Sequence, residues 1–115
     1  MLRGEIRLVD LEPTRGSEAS KRRPAIVVSN DRANAAATRL GRGVVTIVPI
    51  TSNTARVFAF QTLLPAAETG LRADSKAQAE QVRSVAVERV GRVLGHAPAP
   101  IMAALDDALR LHLQL

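Results

Sequence analysis

The chain has 115 residues, of which 46% are hydrophobic, and it contains no cysteine. This length and composition fit one folded domain and exclude disulfide bonds, cysteine-based zinc sites and a disordered chain. Residues 1–60 carry ten Lys and Arg against five Asp and Glu, whereas residues 61–115 carry six of each, so the net charge of +5 lies in the first half. Such a basic surface favours phosphates or an acidic protein as a partner. No segment has the apolar length of a signal peptide or a membrane span, so we expect a soluble, cytoplasmic protein.

Alternating or β-branched apolar residues mark the predicted strands. The pattern is strongest over residues 44–50, where Pro49 is expected to interrupt the far end of the strand. Pro24 is expected at the first position of another strand, because proline cannot donate a hydrogen bond to a neighbouring strand. In chain order, strands are predicted at residues 5–9, 24–30, 44–50, 56–64 and 92–95.

Helical patterns occupy other segments. Residues 31–40 are rich in alanine and predict a short helix, with Asn30 or Asp31 as its N-cap. Residues 98–115 repeat apolar side chains at helical spacing, with prolines near the start, and predict an amphipathic terminal helix. Residues 75–85 are ambiguous between strand and helix. Several short strands and one closing helix indicate a mainly β protein with α-helices, built as a small, strongly curved sheet or barrel.

The familiar catalytic motifs do not occur in this sequence. His96 and His112 lack metal-ligand spacing and have no carboxylate partner near them in sequence, so we expect no metal site and no cofactor. No glycine-rich phosphate loop leads into a Lys-Ser/Thr pair, and no G-x-S-x-G stretch is present. Phe58 and Phe60 are the only aromatic residues, so RNA bases would find few aromatic side chains on which to stack.

Three polar clusters lie at the ends of predicted strands. The first is RGSEASKRRP at residues 15–24, where Arg23 directly precedes a strand and is held by its backbone, unlike Lys21 and Arg22 in the loop. The second is PITSN at residues 49–53, and the third is AEQVRS at residues 79–84. Alone, each cluster fits a solvated loop. Three of them on one small sheet can converge in space, where rigid strands position the side chains well.

These stretches resemble the MazF family, the PemK/Kid-type toxins of toxin–antitoxin pairs. The resemblance covers essentially the whole chain as one toxin domain, residues 1–115. It implies a homodimer of small SH3-like, CcdB-type β-barrels with a short helix and a C-terminal helix. The stretches that carry it are RGEI at 3–6, VDLEP at 9–13, GSE at 16–18, RPAIVVSN at 23–30, VPITSN at 48–53 and AEQVRS at 79–84.

The resemblance implies a metal-independent endoribonuclease that cuts single-stranded RNA at short preferred sequences. The 2′-hydroxyl attacks the adjacent phosphate and leaves a 2′,3′-cyclic phosphate and a 5′-hydroxyl. A MazE-type antitoxin with an acidic tail would block the RNA groove. Arg7 stands where the family usually has an aromatic residue, which bears on base preference more than on the chemistry.

By position, the resemblance assigns catalysis to Arg23 and Thr51. A guanidinium matches the geometry of a phosphate, and a threonine hydroxyl can donate a hydrogen bond to it, so these side chains suit the reaction. Glu18 is a candidate for orienting or accepting a proton. The residues expected to bind RNA are Ser17, Lys21, Arg22, Ser52, Asn53, Gln81 and Arg83.

A barrel of this size could also be a gyrase-poisoning toxin or a peptide-binding module. A CcdB-like toxin would poison DNA gyrase by binding through its terminal helix, and it would not need the polar clusters at Arg23 and Thr51. An SH3-like interaction module would bind proline-rich peptides in an aromatic groove, which a chain with two Phe and no Trp or Tyr can hardly build. Both alternatives predict that the purified protein leaves a defined single-stranded RNA intact.

Overall fold

The computed structural model describes residues 1–13, 15–18 and 21–115. Those residues form seven strands and three helices, with one-turn 3-10 segments at Ala79–Gln81 and Val87–Arg89. The strands are β1 (Glu5–Asp10), β2 (Arg22–Val27), β3 (Val44–Thr51), β4 (Gln61–Leu64), β5 (Ser75–Gln78), β6 (Arg83–Ala86) and β7 (Val90–His96). The helices are α1 (Asp31–Leu40), α2 (Ala66–Thr69) and α3 (Ala99–Leu113). Within the described ranges, no helix has the length and apolar character needed to cross a membrane.

The seven strands form one antiparallel sheet in which β3 has three neighbours. The order is β4-β5-β3-β2-β1-β7, and β6 also pairs with β3. Along one edge β3 pairs with β2, and along the other it pairs first with β6 over residues 44–47 and then with β5 over residues 50–51. The prediction of a mainly β protein with helices is confirmed. In the described part of the chain, β4 and β7 are not paired with each other, so the strand pairing does not close the sheet into a barrel.

Two prolines lie inside strands, and both predictions about them were wrong. Pro49 is the sixth residue of β3, which continues to Thr51. It lies where the partner on one edge changes from β6 to β5, so that edge has no paired strand at Pro49. Pro24 is the third residue of β2, at a position where pairing with β3 has not yet begun. Proline is tolerated at such unpaired edges, because no hydrogen bond has to be donated there.

The predicted strand over residues 56–64 is shorter than expected. β4 begins only at Gln61, and residues 56–60 form a loop. The rings of Phe58 and Phe60 stack in this loop with their centroids 5.2 Å apart, and the Arg56 guanidinium lies 4.5 Å from the Phe58 centroid. The alternating positions of Phe58 and Phe60, which predicted a strand, therefore stack two rings in a loop. The ambiguous residues 75–85 are neither one strand nor one helix, since a 3-10 turn separates β5 from β6.

An apolar layer covers each face of the sheet. On one face Val48 packs in a cluster with Leu105 of α3, and on the other face Ile47 packs in a cluster with Ala37 of α1. This alternation follows from the pleat, which points successive side chains to opposite faces. Both predicted helices are confirmed, and Asn30 caps α1 by accepting a hydrogen bond from its first turn. The two helices therefore hold the sheet between them.

β7 passes very close to the end of α2 at Gly95. A Cβ atom built on Gly95 would lie 2.2 Å from the carbonyl oxygen of Thr69, closer than any side chain can be accommodated. A Cβ atom on Gly91 would lie 3.0 Å from the carbonyl oxygen of Leu8, which a small shift relieves. The absence of a side chain at Gly95 thus lets the connection that follows α2, residues 70–74, lie against β7.

We expect Gly95→Ala to destabilise the fold, because the backbone contact with Thr69 has to open. Overpacking of this kind typically costs about 1–3 kcal/mol, which lowers the Tm of a domain of this size by roughly 5–15 °C. Differential scanning calorimetry measures the effect. Gly91→Ala is the matched control and should lower the Tm less. An unchanged Tm for Gly95→Ala would contradict the close approach of β7 and α2.

Candidate active site

A groove of about 810 Å³ opens at the ends of β2 and β3. Its apolar floor includes Leu8, Pro24 and Ile50. Leu8 pairs with Pro24 across β1 and β2, and the β2–β3 register, continued by one residue from Ala25–Pro49, brings Pro24 opposite Ile50. The floor is therefore one row of side chains across three adjacent strands, in which backbone pairing fixes the spacing of Leu8 and Pro24.

Arg23 and Thr51 occupy facing positions beside this row. The β2–β3 ladder ends at the pair Ala25–Pro49, and its register, continued by two residues beyond the paired part, brings Arg23 opposite Thr51. Both residues line the groove, and both are partly buried. The hydroxyl oxygen of Thr51 accepts a hydrogen bond from the Asn53 backbone N–H at 3.2 Å, which leaves the hydroxyl hydrogen to donate to a ligand. A guanidinium and a hydroxyl donor thus meet at the ends of two rigid strands.

All the charged residues that the structure describes along the groove are cations. The groove walls contain no aspartate or glutamate among the described residues. A concave surface lined by charges of one sign concentrates ligands of the opposite sign. The site is therefore suited to an anionic ligand such as a chain of phosphates. The five cations are Lys21, Arg22, Arg23, Arg72 and Arg92.

The groove brings together half of the ten predicted site residues. Those in its walls are Lys21, Arg22, Arg23, Thr51 and Ser52. The other five, among the described residues, lie outside its lining: Ser17, Glu18, Asn53, Gln81 and Arg83.

The turn that carries Ser17 and Glu18 is attached to the third polar cluster. The side-chain amide of Gln81 donates to the backbone carbonyl of Ser17 at 3.1 Å. The carboxylate of Glu18 accepts a hydrogen bond from the Arg15 backbone N–H at 2.8 Å, so the turn is closed on itself. The hydrogen bond from Gln81 joins two of the predicted clusters although 64 residues separate them in sequence.

Arg83 lies further from the groove. It pairs with Ile47 in the β3–β6 ladder, four residues before Thr51 on β3. At about 3.3 Å per residue, that offset amounts to roughly 13 Å along the strand. One guanidinium nitrogen of Arg83, Nη1, is buried and has no hydrogen-bond partner among the described residues.

Sequence reasoning missed Arg72 and Arg92, which form the wall of the groove opposite Arg23. Arg72 belongs to the connection after α2, and Arg92 lies on β7. Neither stands in a polar cluster, and a local pattern gives no indication that the connection after α2 packs on β7. The sequence feature that points to this packing is Gly95 itself, because a glycine inside a strand often marks a place where another part of the backbone comes close.

Arg7, which stands where the family usually has an aromatic residue, makes structural contacts. Its Nε donates to the Gly91 carbonyl oxygen at 2.9 Å, and its Nη1 forms an ion pair with Glu5 at 2.8 Å. The side chain therefore ties β1 to β7.

The fold and the groove together describe a small, mainly β protein with a cationic groove at the ends of two strands. The family described as "PemK-like, MazF-like toxin of type II toxin-antitoxin system" matches residues 2–113. The chain belongs to this family.

Individual relatives agree with this assignment. Endoribonuclease MazF9 of Mycobacterium tuberculosis is 64% identical over 115 residues, which cover 100% of this chain and 98% of the relative. The crystal structure of MazF from Deinococcus radiodurans superposes with a TM-score of 0.81 at 27% identity, covering 100% of this chain and 97% of the other. A MazE–MazF structure from Deinococcus radiodurans superposes with a TM-score of 0.74 at 25% identity, covering 100% and 96% of the two chains.

We expect Gln81→Ala to loosen the turn at residues 15–18, because it removes the hydrogen bond to the Ser17 carbonyl. One such bond is worth about 1 kcal/mol, so trypsin cleavage after Arg15 should become roughly fivefold faster if cleavage follows local opening. Mass spectrometry of the fragments measures the rate. Ser84→Ala, an exposed position on β6, is the control, and equal cleavage of both variants would contradict the role of Gln81.

Proposed function

We propose that this chain is the endoribonuclease toxin of a type II toxin–antitoxin pair and that it cuts single-stranded RNA in the groove. The observation that carries the proposal is the facing pair Arg23 and Thr51 in a groove whose charged lining is cationic. The name of the M. tuberculosis relative, an endoribonuclease, supports it. A CcdB-like action on gyrase is not favoured, because the family that matches is MazF-like.

The reaction is a transesterification within the RNA backbone. The 2′-oxygen forms a bond to phosphorus while the bond from phosphorus to the 5′-oxygen breaks. The 2′-hydroxyl loses its proton and the 5′-oxygen gains one, so the products are a 2′,3′-cyclic phosphate and a 5′-hydroxyl. Negative charge grows on the non-bridging oxygens during this step, and preorganised donors that face those oxygens lower the barrier.

Arg23 and Thr51 supply those donors. The guanidinium of Arg23 binds two non-bridging oxygens at once with its planar fork, and it stays charged throughout. The hydroxyl of Thr51 donates a third hydrogen bond from the neighbouring strand. Glu18 is the proposed proton acceptor or orienting carboxylate. Since it does not line the groove, this role requires the turn at residues 15–18 to close over the bound RNA.

The remaining polar residues are proposed to bind the RNA on either side of the cut. Lys21, Arg22 and Ser52 lie in the groove walls and reach the backbone next to the scissile phosphate. A larger set lies outside the lining and is proposed to contact flanking nucleotides: Ser17, Asn53, Gln81 and Arg83.

We extend the proposal to the architecture and location of the protein. The match over residues 2–113 supports a single toxin domain over residues 1–115. The seven-stranded antiparallel sheet, its packed C-terminal helix and the likeness to the solved MazF structure support the SH3-like, CcdB-type barrel class. The proposed site of action is the cytoplasm, where RNA and the antitoxin are made.

We expect Arg23→Ala and Thr51→Ala each to slow RNA cleavage by about 100- to 1,000-fold, the usual effect of losing one preorganised donor. The measurement is single-turnover cleavage in EDTA, at an RNA site first mapped by sequencing 5′-hydroxyl ends from a treated RNA pool. Arg23→Lys should recover only part of the rate, because an ammonium lacks the planar fork.

Two controls accompany that measurement. Arg39→Ala removes an exposed cation in the last turn of α1 and should cleave at the parent rate. An RNA with a 2′-deoxynucleotide at the cut should resist the unmodified protein, because the attacking hydroxyl is missing. Cleavage of that RNA would overturn the proposed chemistry, and parent-rate cleavage by Arg23→Ala would overturn the assignment of Arg23.

We expect the protein to be a homodimer that binds one acidic antitoxin tail across its groove. The MazE–MazF structure from D. radiodurans supports an antitoxin partner. Light scattering should give a mass of two chains, and added antitoxin should raise that mass and stop RNA cleavage in proportion. A complex that forms without inhibiting cleavage would contradict binding at the groove.

A further inference from the structure

Arg72 and Arg92 form a wall of the groove that no catalytic role accounts for. Both side chains are exposed, and neither forms an ion pair or hydrogen bond with another described residue. Clustered arginines repel each other, so two unneutralised guanidinium groups in one groove raise its affinity for anions at some cost in stability. Their placement is therefore best explained by an anionic ligand.

The backbone holds these two arginines together although 20 residues separate them. Gly70 lies against Gly95 and Leu94, with a Cβ built on Gly70 meeting the Gly95 Cα at 3.8 Å and the Leu94 carbonyl oxygen at 3.9 Å. Arg72 follows Gly70 by two residues and Arg92 precedes Leu94 by two residues. The packing of the α2 connection on β7 thus creates the arginine wall before any ligand binds.

The arginine wall belongs to other elements than Arg23 and Thr51, which lie on β2 and β3. Arg23 pairs with Val9 of β1, and Val9 pairs with Val90 of β7. Two strand spacings of about 4.8 Å separate β2 from β7, so their backbones are roughly 10 Å apart. Thr51 lies one further strand away, on the opposite side of Arg23. Arg72 and Arg92 therefore add cations to the groove from a connection and a strand outside the Arg23–Thr51 pair.

We propose that Arg72 and Arg92 form a second phosphate subsite, which binds a backbone phosphate of the RNA next to the scissile one. The apolar side chains of Leu71 and Leu94, which also line the groove, contact the intervening sugar or base. This inference rests on the proposed ribonuclease function and deepens it. The subsite adds affinity and fixes the path of the strand, and it takes no part in bond breaking.

Salt dependence of RNA binding tests the subsite. The probe is an RNA containing the mapped cut with a 2′-deoxynucleotide there, so that it binds without being cleaved. For single strands the slope of log K against log salt is about −0.7 for each phosphate neutralised. Because the two arginines share one phosphate, the Arg72→Ala/Arg92→Ala double variant should reduce the slope by about 0.7. Each single variant should reduce it by less and weaken binding roughly tenfold.

Cleavage kinetics separate this role from catalysis. Each variant should need about tenfold more RNA for its half-maximal single-turnover rate, whereas its rate at saturation should fall far less than that of Arg23→Ala. Arg92→Lys should keep most of the salt slope, because a point charge still neutralises a phosphate. Arg39→Ala carries the same change in net charge outside the groove and should keep the full slope.

Each outcome bears on one proposal. If both arginine variants keep the slope and affinity of the parent protein, the second phosphate subsite is refuted while the ribonuclease function stands. If they lose rate at saturation as steeply as Arg23→Ala, the two arginines act in the chemistry and the subsite is again refuted. If the parent protein neither binds nor cuts single-stranded RNA, the proposed function itself fails.

Discussion

The pairing of β3 with three other strands is the constraint on which the structure depends. One edge of β3 is occupied by β2, and the other is divided between β6 and β5. A strand that changes partner along one edge needs a position without a ladder hydrogen bond, and Pro49 satisfies that need at no cost. Because the division comes before the end of β3, Thr51 is still held in the sheet by its pairing with Lys76 of β5.

The same constraint makes the three consecutive cations of the first cluster unequal. Lys21 has a left-handed backbone with φ of 68° and ends the loop, and its N–H donates to Glu12 at 2.6 Å. Arg22 begins β2 beside Asp10 of β1, with no partner from β3. Arg23 is paired with Val9 of β1, and the pairing of β2 with β3 begins two residues after it. Its side chain starts from a fixed point, which suits a group that must face one particular phosphate oxygen.

Local pattern explains which parts of the fold could be predicted from the sequence. The alternation of residues 5–9 and the capped, alanine-rich segment at Asp31–Leu40 give the right elements, because each depends on neighbours within a few residues. Arg23 and Thr51 could be inferred for a related reason, since each adjoins a strong strand. Pairing of their strands then brings them together.

The parts that could not be predicted depend on distant contacts. Phe58 and Phe60 are spaced in sequence as they would be in a strand, although their rings stack in a loop. Sequence periodicity cannot distinguish a strand from such a loop. The expected convergence of all three polar clusters holds only partly: Gln81 binds Ser17, but both lie outside the groove lining, and Arg83 on β6 pairs with Ile47, four residues before Thr51. Arg72 and Arg92 reach the groove only through the packing of α2 on β7, which no local pattern encodes.

The net charge of each half of the chain describes the site incompletely for the same reason. Residues 61–115 have no net charge, yet they supply two of the five groove cations. Three carboxylates of that half are engaged in other contacts. Asp74 accepts a hydrogen bond from the Ala66 backbone N–H, Glu80 accepts one from the Gln61 side-chain amide, and Asp106 forms an ion pair with the Arg3 guanidinium. Folding therefore separates these carboxylates from Arg72 and Arg92. It places the two arginines of the neutral second half in the same groove as the cations of the basic first half. An acidic antitoxin tail that fills this groove has to match both walls, so the second wall bears on inhibitor recognition as much as on RNA.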